Sequence, residues 1–430
     1  MLFIGEALGV DEDRKGQNFV GKTGQEVNRH YMPLAGLKRQ DVRVVNTVPY
    51  LPCTPKHKLD LKKPKHQAIV NHGASIFLRP MLESRKYDLI VPMGAIACSV
   101  VDPKIDLEMQ HGIPIQTEWG EAFPMYHPAG GIYEPKKMLL IRTDWARLRR
   151  HLSGALVLPT DKYPNPDYRE CVTVTDLKQY LGLKKHLAMA VDTETTKSHN
   201  PYCLTLSVHA GTGRLIRVEN KEVLRCFQEY LDMWEGPILF HNWMFDGEVV
   251  EAMGLRFPWH RIVDTMVKVF HLGNLPQGLK ALAHRELGMT MQDFDDLVTP
   301  YAVPLVLEYY RNAMCEEWSK PVTQLVKTDT GGWKEYKPHG FRTKLKSFWT
   351  KYAKSPEMNV FEQWEKNWEE HQEEVEAVQG PWPGKCISYC PFDKVLHYAC
   401  RDADATLRLW PIIRHMERRV RRTTQERWAI

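Results

Sequence analysis

The chain has 430 residues, with 58 Lys and Arg against 53 Asp and Glu, a net charge of +5, and 43% hydrophobic and 10% aromatic residues. Two or three domains of roughly 100–200 residues each are expected, and the apolar content excludes a disordered chain. A run of about 18 apolar residues is absent and Met1 to Ile4 lacks a basic leader, so the expected location is cytoplasmic with no membrane partner.

Nine cysteines, an odd number without a repeating spacing, point to reduced thiols rather than a disulfide framework. The positive charge is uneven: Met1 to Ala155 holds 22 Lys and Arg against 16 Asp and Glu. Such an excess suits a nucleic-acid partner.

In chain order, a strand at Leu2-Phe3-Ile4 runs into the loop Gly5-Glu6-Ala7-Leu8-Gly9, followed by Gly16 to Gly24, where glycines let backbone approach a ligand closely. Gly16 to Thr23 satisfies the literal G-x-x-x-x-G-K-T pattern, but no buried strand leads into it, so a phosphate loop is not expected. Further strands are predicted at Val42 to Val48 and Leu89 to Gly94, then the segment Met125-Tyr126-His127-Pro128-Ala129. Strands alternating with helical stretches predict an α/β/α domain with a parallel sheet.

These segments resemble the uracil-DNA glycosylase superfamily, closest to its family 4, over Met1 to Leu152. The resemblance implies that Phe19 stacks on a flipped base and Asn46 reads its Watson–Crick edge. It further implies that His127 stabilises the departing uracil anion, that Glu6 acts near the sugar, and that Ala7 and Glu12 contact substrate. Departures stand at Leu8 and Asn18, where the family has proline, and in the loop Ala129 to Tyr133. Family 4 members carry an iron-sulfur cluster on four cysteines; this domain has Cys53 and Cys98, so no iron-sulfur cluster is expected.

A proline-containing linker is expected over 153–170, then strand and helix at Cys171 to Tyr180. Leu187 to Thr195 reads as a buried strand delivering Asp192 and Glu194 on one face. Neighbouring carboxylates repel unless a cation neutralises them, and hard divalent ions take oxygen ligands. His241 to Asp246 again reads as strand end into helix, and Tyr398 and Asp402 share a helix face at i and i+4.

The three patterns D-x-E, N-x-x-x-D and Y-x-x-x-D occur in order and resemble the 3′–5′ exonuclease domain of family A DNA polymerases, a ribonuclease H-like fold, over Cys171 to Met416. The resemblance implies that Asp192, Glu194, Asp246 and Asp402 hold two Mg²⁺ or Mn²⁺ ions, that Tyr398 orients the attacking water, and that Asn242 contacts substrate. A largely helical insertion over about 296–390, of the kind seen in phage members, carries tryptophans suited to packing or to stacking bases. A basic tail follows over 417–430.

The fold class expected is therefore α/β throughout, with a glycosylase-like domain joined to an exonuclease domain. The implied function is uracil excision combined with proofreading-type hydrolysis, on uracil-containing DNA and single-stranded 3′ ends, in a host's cytoplasm if the gene belongs to a phage. The alternative makes the first domain a non-catalytic uracil or DNA binder serving a separate DNA polymerase subunit.

Overall fold

A computed structural model describes residues 1–54, 57–134, 137–197, 199–319, 324–327, 333–336 and 384–428. Strands β1 (Leu2–Ala7), β2 (Arg43–Val48), β3 (Ile90–Pro92), β4 (Ile115–Thr117) and β5 (Gly120–Ala122) form one sheet in the order β2-β1-β3-β5-β4. β1 runs parallel to β2 and β3, β5 parallel to β3, and β4 antiparallel to β5.

Alternation along β1 splits its side chains between two cores. Phe3 joins Val44, Val91 and Trp145 on one face, while Leu2 and Ile4 join Val45, Ile90 and Ala97 on the other. Trp145 comes from the helix Met138–Leu152 and stacks on Phe3 at 5.4 Å. Helices cover both faces, giving the three-layer arrangement that the alternating pattern predicts.

The second sheet contains β6 (Asp167–Glu170), β7 (Met189–Thr195), β8 (Pro201–Ser207), β9 (Thr212–Arg217), β10 (Ile238–Phe240) and β11 (Ile262–Asp264), ordered β11-β10-β7-β8-β9-β6. β7, β8 and β9 form an antiparallel meander, and β10 and β11 add in parallel beside β7. This is the ribonuclease H-like arrangement. Helices Val174–Leu181, Lys221–Met233 and Trp243–Ala252 pack on one face around Phe227, Trp234 and Phe240. The long helix Phe392–Trp428 crosses the other.

The segment expected as a spacer supplies β6, which pairs parallel with β9. Its earlier part is also anchored: Asp161 accepts from Arg401 at 3.1 Å and Arg408 at 2.7 Å. The carboxylate lies below its usual range because hydrogen bonds from Tyr163, Arg408 and Arg401 outweigh its burial. Most of the insertion expected at 296–390 lies outside the described residues. Within them are the helix Phe294–Ser319 and an antiparallel pair, Gln324–Lys327 with Trp333–Tyr336. No described helix is long and apolar enough to cross a membrane.

Candidate functional site

Along β7, Val191 and Thr193 are buried while Asp192 and Glu194 are half-buried on the opposite face. The helix Phe392–Trp428 approaches that face closely because Gly213 on β9 has no side chain: a Cβ there would stand 2.7 Å from Cys400 Cβ. Thr205 on β8 fixes the depth, its hydroxyl donating to the Ala399 carbonyl at 3.1 Å. Tyr398, one residue before Ala399, and Asp402, three after it, lie one helical turn apart and so meet the strand end.

Carboxylate oxygens of Asp192, Glu194 and Asp402 consequently lie within 4.8 Å of one another. Burial, then the neighbouring carboxylates, hold Asp192 and Glu194 well above the usual carboxylate range. Asp402 is pushed up to about 7, chiefly by burial, with Lys280 and Arg401 pulling the other way.

Asp246 lies outside the group within 4.8 Å, yet its charge is the strongest of the carboxylates acting on Asp192. Its Oδ1 accepts from the Thr193 N–H at 3.0 Å and the Thr193 hydroxyl at 2.7 Å, and burial lifts it to about 7 against those bonds. Asn242 opens its helix in the left-handed region, φ 89°. That turn is held by Asp264, whose carboxylate accepts from the Asn242 and Trp243 N–H groups at 3.4 and 2.9 Å. The cap sets where Asp246 falls in the first turn.

Burial, then Glu194, Asp402 and Asp192, raise the Tyr398 phenol far above its ordinary range, so it remains an O–H donor. Lys280 lies 5.3 Å from the Tyr398 ring centre and pairs with Asp293 at 3.1 Å. The motifs give Lys280 no role; its position in Gly278 to Ala283, remote in sequence from every carboxylate of the trio, hides it. Hard oxygen donors crowded at this spacing, each resisting ionisation, fit a divalent cation.

In the first domain, a cavity of about 530 Å³ is lined by Glu6, Ala7, Gly94, Tyr126, His127 and Lys137, among others. The Ala129 N–H donates to His127 Nδ1 at 3.2 Å, which leaves a neutral ring's proton on Nε2. Burial lowers the His127 pKa, with Glu6 and Glu12 opposing, so the neutral form is favoured. Gly94 permits this crowding: at φ 91° it has no Cβ, which would stand 2.7 Å from Glu6 Oε1 and 3.1 Å from His127 Cβ.

Glu12 is buried, and its Oε2 accepts from the Gly9 N–H at 2.9 Å. Phe19 and Asn46 are placed together, though not among the walls of that cavity. A Cβ on Gly5 would lie 2.4 Å from Asn46 Oδ1 and 2.9 Å from Phe19 Cζ, so both press on the strand leading to Glu6. The Asn46 amide donates to Asn18 Oδ1 at 3.0 Å.

Fold and side chains together define an α/β protein with two main sheets and two polar centres: an acid and a neutral imidazole on a cavity, and a carboxylate trio suited to a cation. Residues 1–149 match the family model described as "Uracil DNA glycosylase superfamily". Type-4 uracil-DNA glycosylases from Saccharolobus solfataricus and Archaeoglobus fulgidus are 29% and 30% identical over 163 and 157 residues. Those matches cover 36% and 34% of this chain and 72% and 74% of the relatives. The chain belongs to the uracil-DNA glycosylase superfamily through this N-terminal part. Among solved structures, the catalytic core of RRP6 from Trypanosoma brucei is similar at 13% identity and a TM-score of 0.26, over 33% of this chain and 40% of that one.

Proposed function

We propose that the chain is a DNA-processing enzyme with two sites: uracil excision in the first domain and cation-dependent 3′–5′ hydrolysis of DNA ends in the second. The observation that carries the second activity is the convergence of Asp192, Glu194 and Asp402 within 4.8 Å beside a protonated Tyr398. These three carboxylates would hold divalent cations, Mg²⁺ or Mn²⁺, and Asp246, tied to Thr193, supports them from behind. Bound cations of this kind activate water and neutralise the leaving 3′ oxygen. Tyr398 donates its O–H to orient the attacking water, and Lys280 offsets part of the carboxylate charge.

In the first domain the N1–C1′ bond breaks with its electron pair leaving on uracil, and water adds at C1′, releasing a proton that neutralises the uracil anion as it departs. His127, donating from Nε2, meets the charge that develops on the base, and it does so without giving up its proton. Glu6, beside His127 across Gly94, stabilises the positive sugar and orients that water.

One observation favours the second reading, in which the first domain binds uracil-containing DNA without cleaving it. The Asn46 amide is engaged by Asn18, and neither Asn46 nor Phe19 lines the cavity. A 5′-labelled oligonucleotide with one uracil, incubated with and without EDTA, separates the readings. Two-site catalysis predicts alkali-labile sites in EDTA and shortened strands with Mg²⁺. A binder predicts shortening alone, and an intact strand under both conditions sinks the proposal.

A further inference from the structure

The helix Leu279–Leu287 belongs to the second domain, yet it reaches both centres. Lys280, near its start, faces the carboxylate trio. Arg285, five residues on, is buried against the first domain with 3% exposure. There its guanidinium lies 3.5 Å from Asp144 Oδ1 and 3.4 Å from His111 Nδ1. Asp144 and His111 are themselves buried, and His111 Nδ1–H donates to Asp144 Oδ2 at 2.8 Å.

His111 does more than fill space. Its ring packs on that of Tyr126 at 4.6 Å, and Tyr126 lines the cavity directly before His127 in the chain. The short helix Leu107–Gln110, whose Leu107 also lines the cavity, ends at His111. His111 Nε2 and Arg285 Nε have no hydrogen-bond partner among the described residues; Arg285 Nε lies 3.6 Å from Glu286 Oε1, and the Asp144 carboxylate is the group that His111 and Arg285 share. Burying an anion requires cations and donors around it; Arg147 of the first domain's own helix stands near Asp144, and the second cation, Arg285, comes from the other domain.

We infer that Arg285 is a positioning residue for uracil excision: through Asp144 and His111 it fixes the Tyr126 wall beside His127, so the second domain completes the uracil site of the first. This rests on the glycosylase reading above. Arg285 touches no substrate atom; it sets the angle from which His127 meets the base.

The test uses the full-length chain in EDTA, with single-turnover excision measured against substrate concentration for wild type, Arg285→Met, Arg285→Lys, Asp144→Asn and the Arg285→Met/Asp144→Asn double variant. Arg285→Met is expected to lower the maximal rate tenfold or more with half-saturation within twofold, and Arg285→Lys to recover a large part of it. The double variant should be no slower than the slower single one, since both break one connection. Hydrolysis of a uracil-free 3′ end in Mg²⁺ should stay within twofold, reporting that the second domain is folded. Wild-type excision by Arg285→Met overturns the inference, as does a parallel loss of both activities with a lower melting temperature, which marks general unfolding. Absence of excision by wild type itself refutes the glycosylase reading and this role with it, and shows before any substitution is made.

Discussion

Replacing Asp402 by Asn should stabilise the cation-free protein at alkaline pH while destroying nuclease activity. Folding moves this carboxyl from an ordinary 3.8 to about 7, with burial as the main cause. A raised acid pKa means the folded state binds the proton more tightly, so stability is fully present below the unfolded value and is lost as pH rises from about 4 through about 7. A tenfold change in acidity corresponds to about 1.36 kcal/mol, so ionising the folded group costs at most about 4 kcal/mol. Asp192, Glu194 and Asp246 share the same field and relax in part when one charge goes, so the net gain is about 1–2 kcal/mol.

For a domain of this size that is a rise of roughly 3–6 °C in melting temperature. Thermal melts in EDTA at pH 8 and pH 5, with activity measured in Mg²⁺, check it. The gain should appear at pH 8 and shrink towards zero at pH 5, where Asp402 is already protonated. Mg²⁺ should raise the wild-type melt more at pH 8 than at pH 5, because ligation needs ionised carboxylates. An Asp402→Asn protein that melts at or below wild type in EDTA at pH 8 would refute the reasoning.

His127→Ala should slow uracil excision by roughly 10²–10³, about 2.7–4 kcal/mol, with little change in affinity for uracil-containing DNA, read by single-turnover rates alongside anisotropy titrations. Because burial lowers the His127 pKa, the wild-type excision rate should stay level as pH falls past 6.5 and decline only below it; a drop centred at or above 6.5 counts against a neutral donor. Gly94→Ala puts a Cβ at φ 91° between Glu6 and His127, so excision should fall while nuclease activity persists, measured on the two substrates in parallel. Lys280→Met removes a cation that lowers the pKa of Asp192, Glu194 and Asp402, so the acidic limb of the nuclease pH–rate profile should move to higher pH; an unmoved limb places Lys280 outside the site.

Much of the second centre is legible in the sequence because its residues follow local periods. Asp192 and Glu194 alternate with buried Val191 and Thr193, and Tyr398 and Asp402 sit one helical turn apart, so each pair declares its face without knowledge of the rest. The commitment of Asp246 to Thr193 is not legible, since a hydroxyl fifty-three positions away leaves no periodic trace. The same holds for Arg285, which reads in sequence as one more charge near a helix end and acquires meaning through Asp144 and His111. In the first domain the strands are plain from their apolar runs. The packing of Asn46 and Phe19 against Gly5 depends on how β1 and β2 register, which composition cannot convey. The anchoring of the spacer escapes for a related reason: its prolines suggest a semi-stiff spacer, but Asp161 finds two arginines brought near by distant packing.

The crossing of the Phe392–Trp428 helix over β7, β8 and β9 also bears on how the protein is made. Synthesis is vectorial and domains tend to fold as they emerge. Every strand of the first sheet has been synthesised by Ala122, and its covering helix by Leu152. The acidic trio, in contrast, joins Asp192 and Glu194 to a residue 208 positions beyond Glu194. A nascent chain arrested between Asp264 and Phe392 therefore carries the strands of the second sheet without that helix, and its carboxylate seat is incomplete. Translation itself delays the arming of that centre until long after the strands of the first sheet and their covering helix have been made.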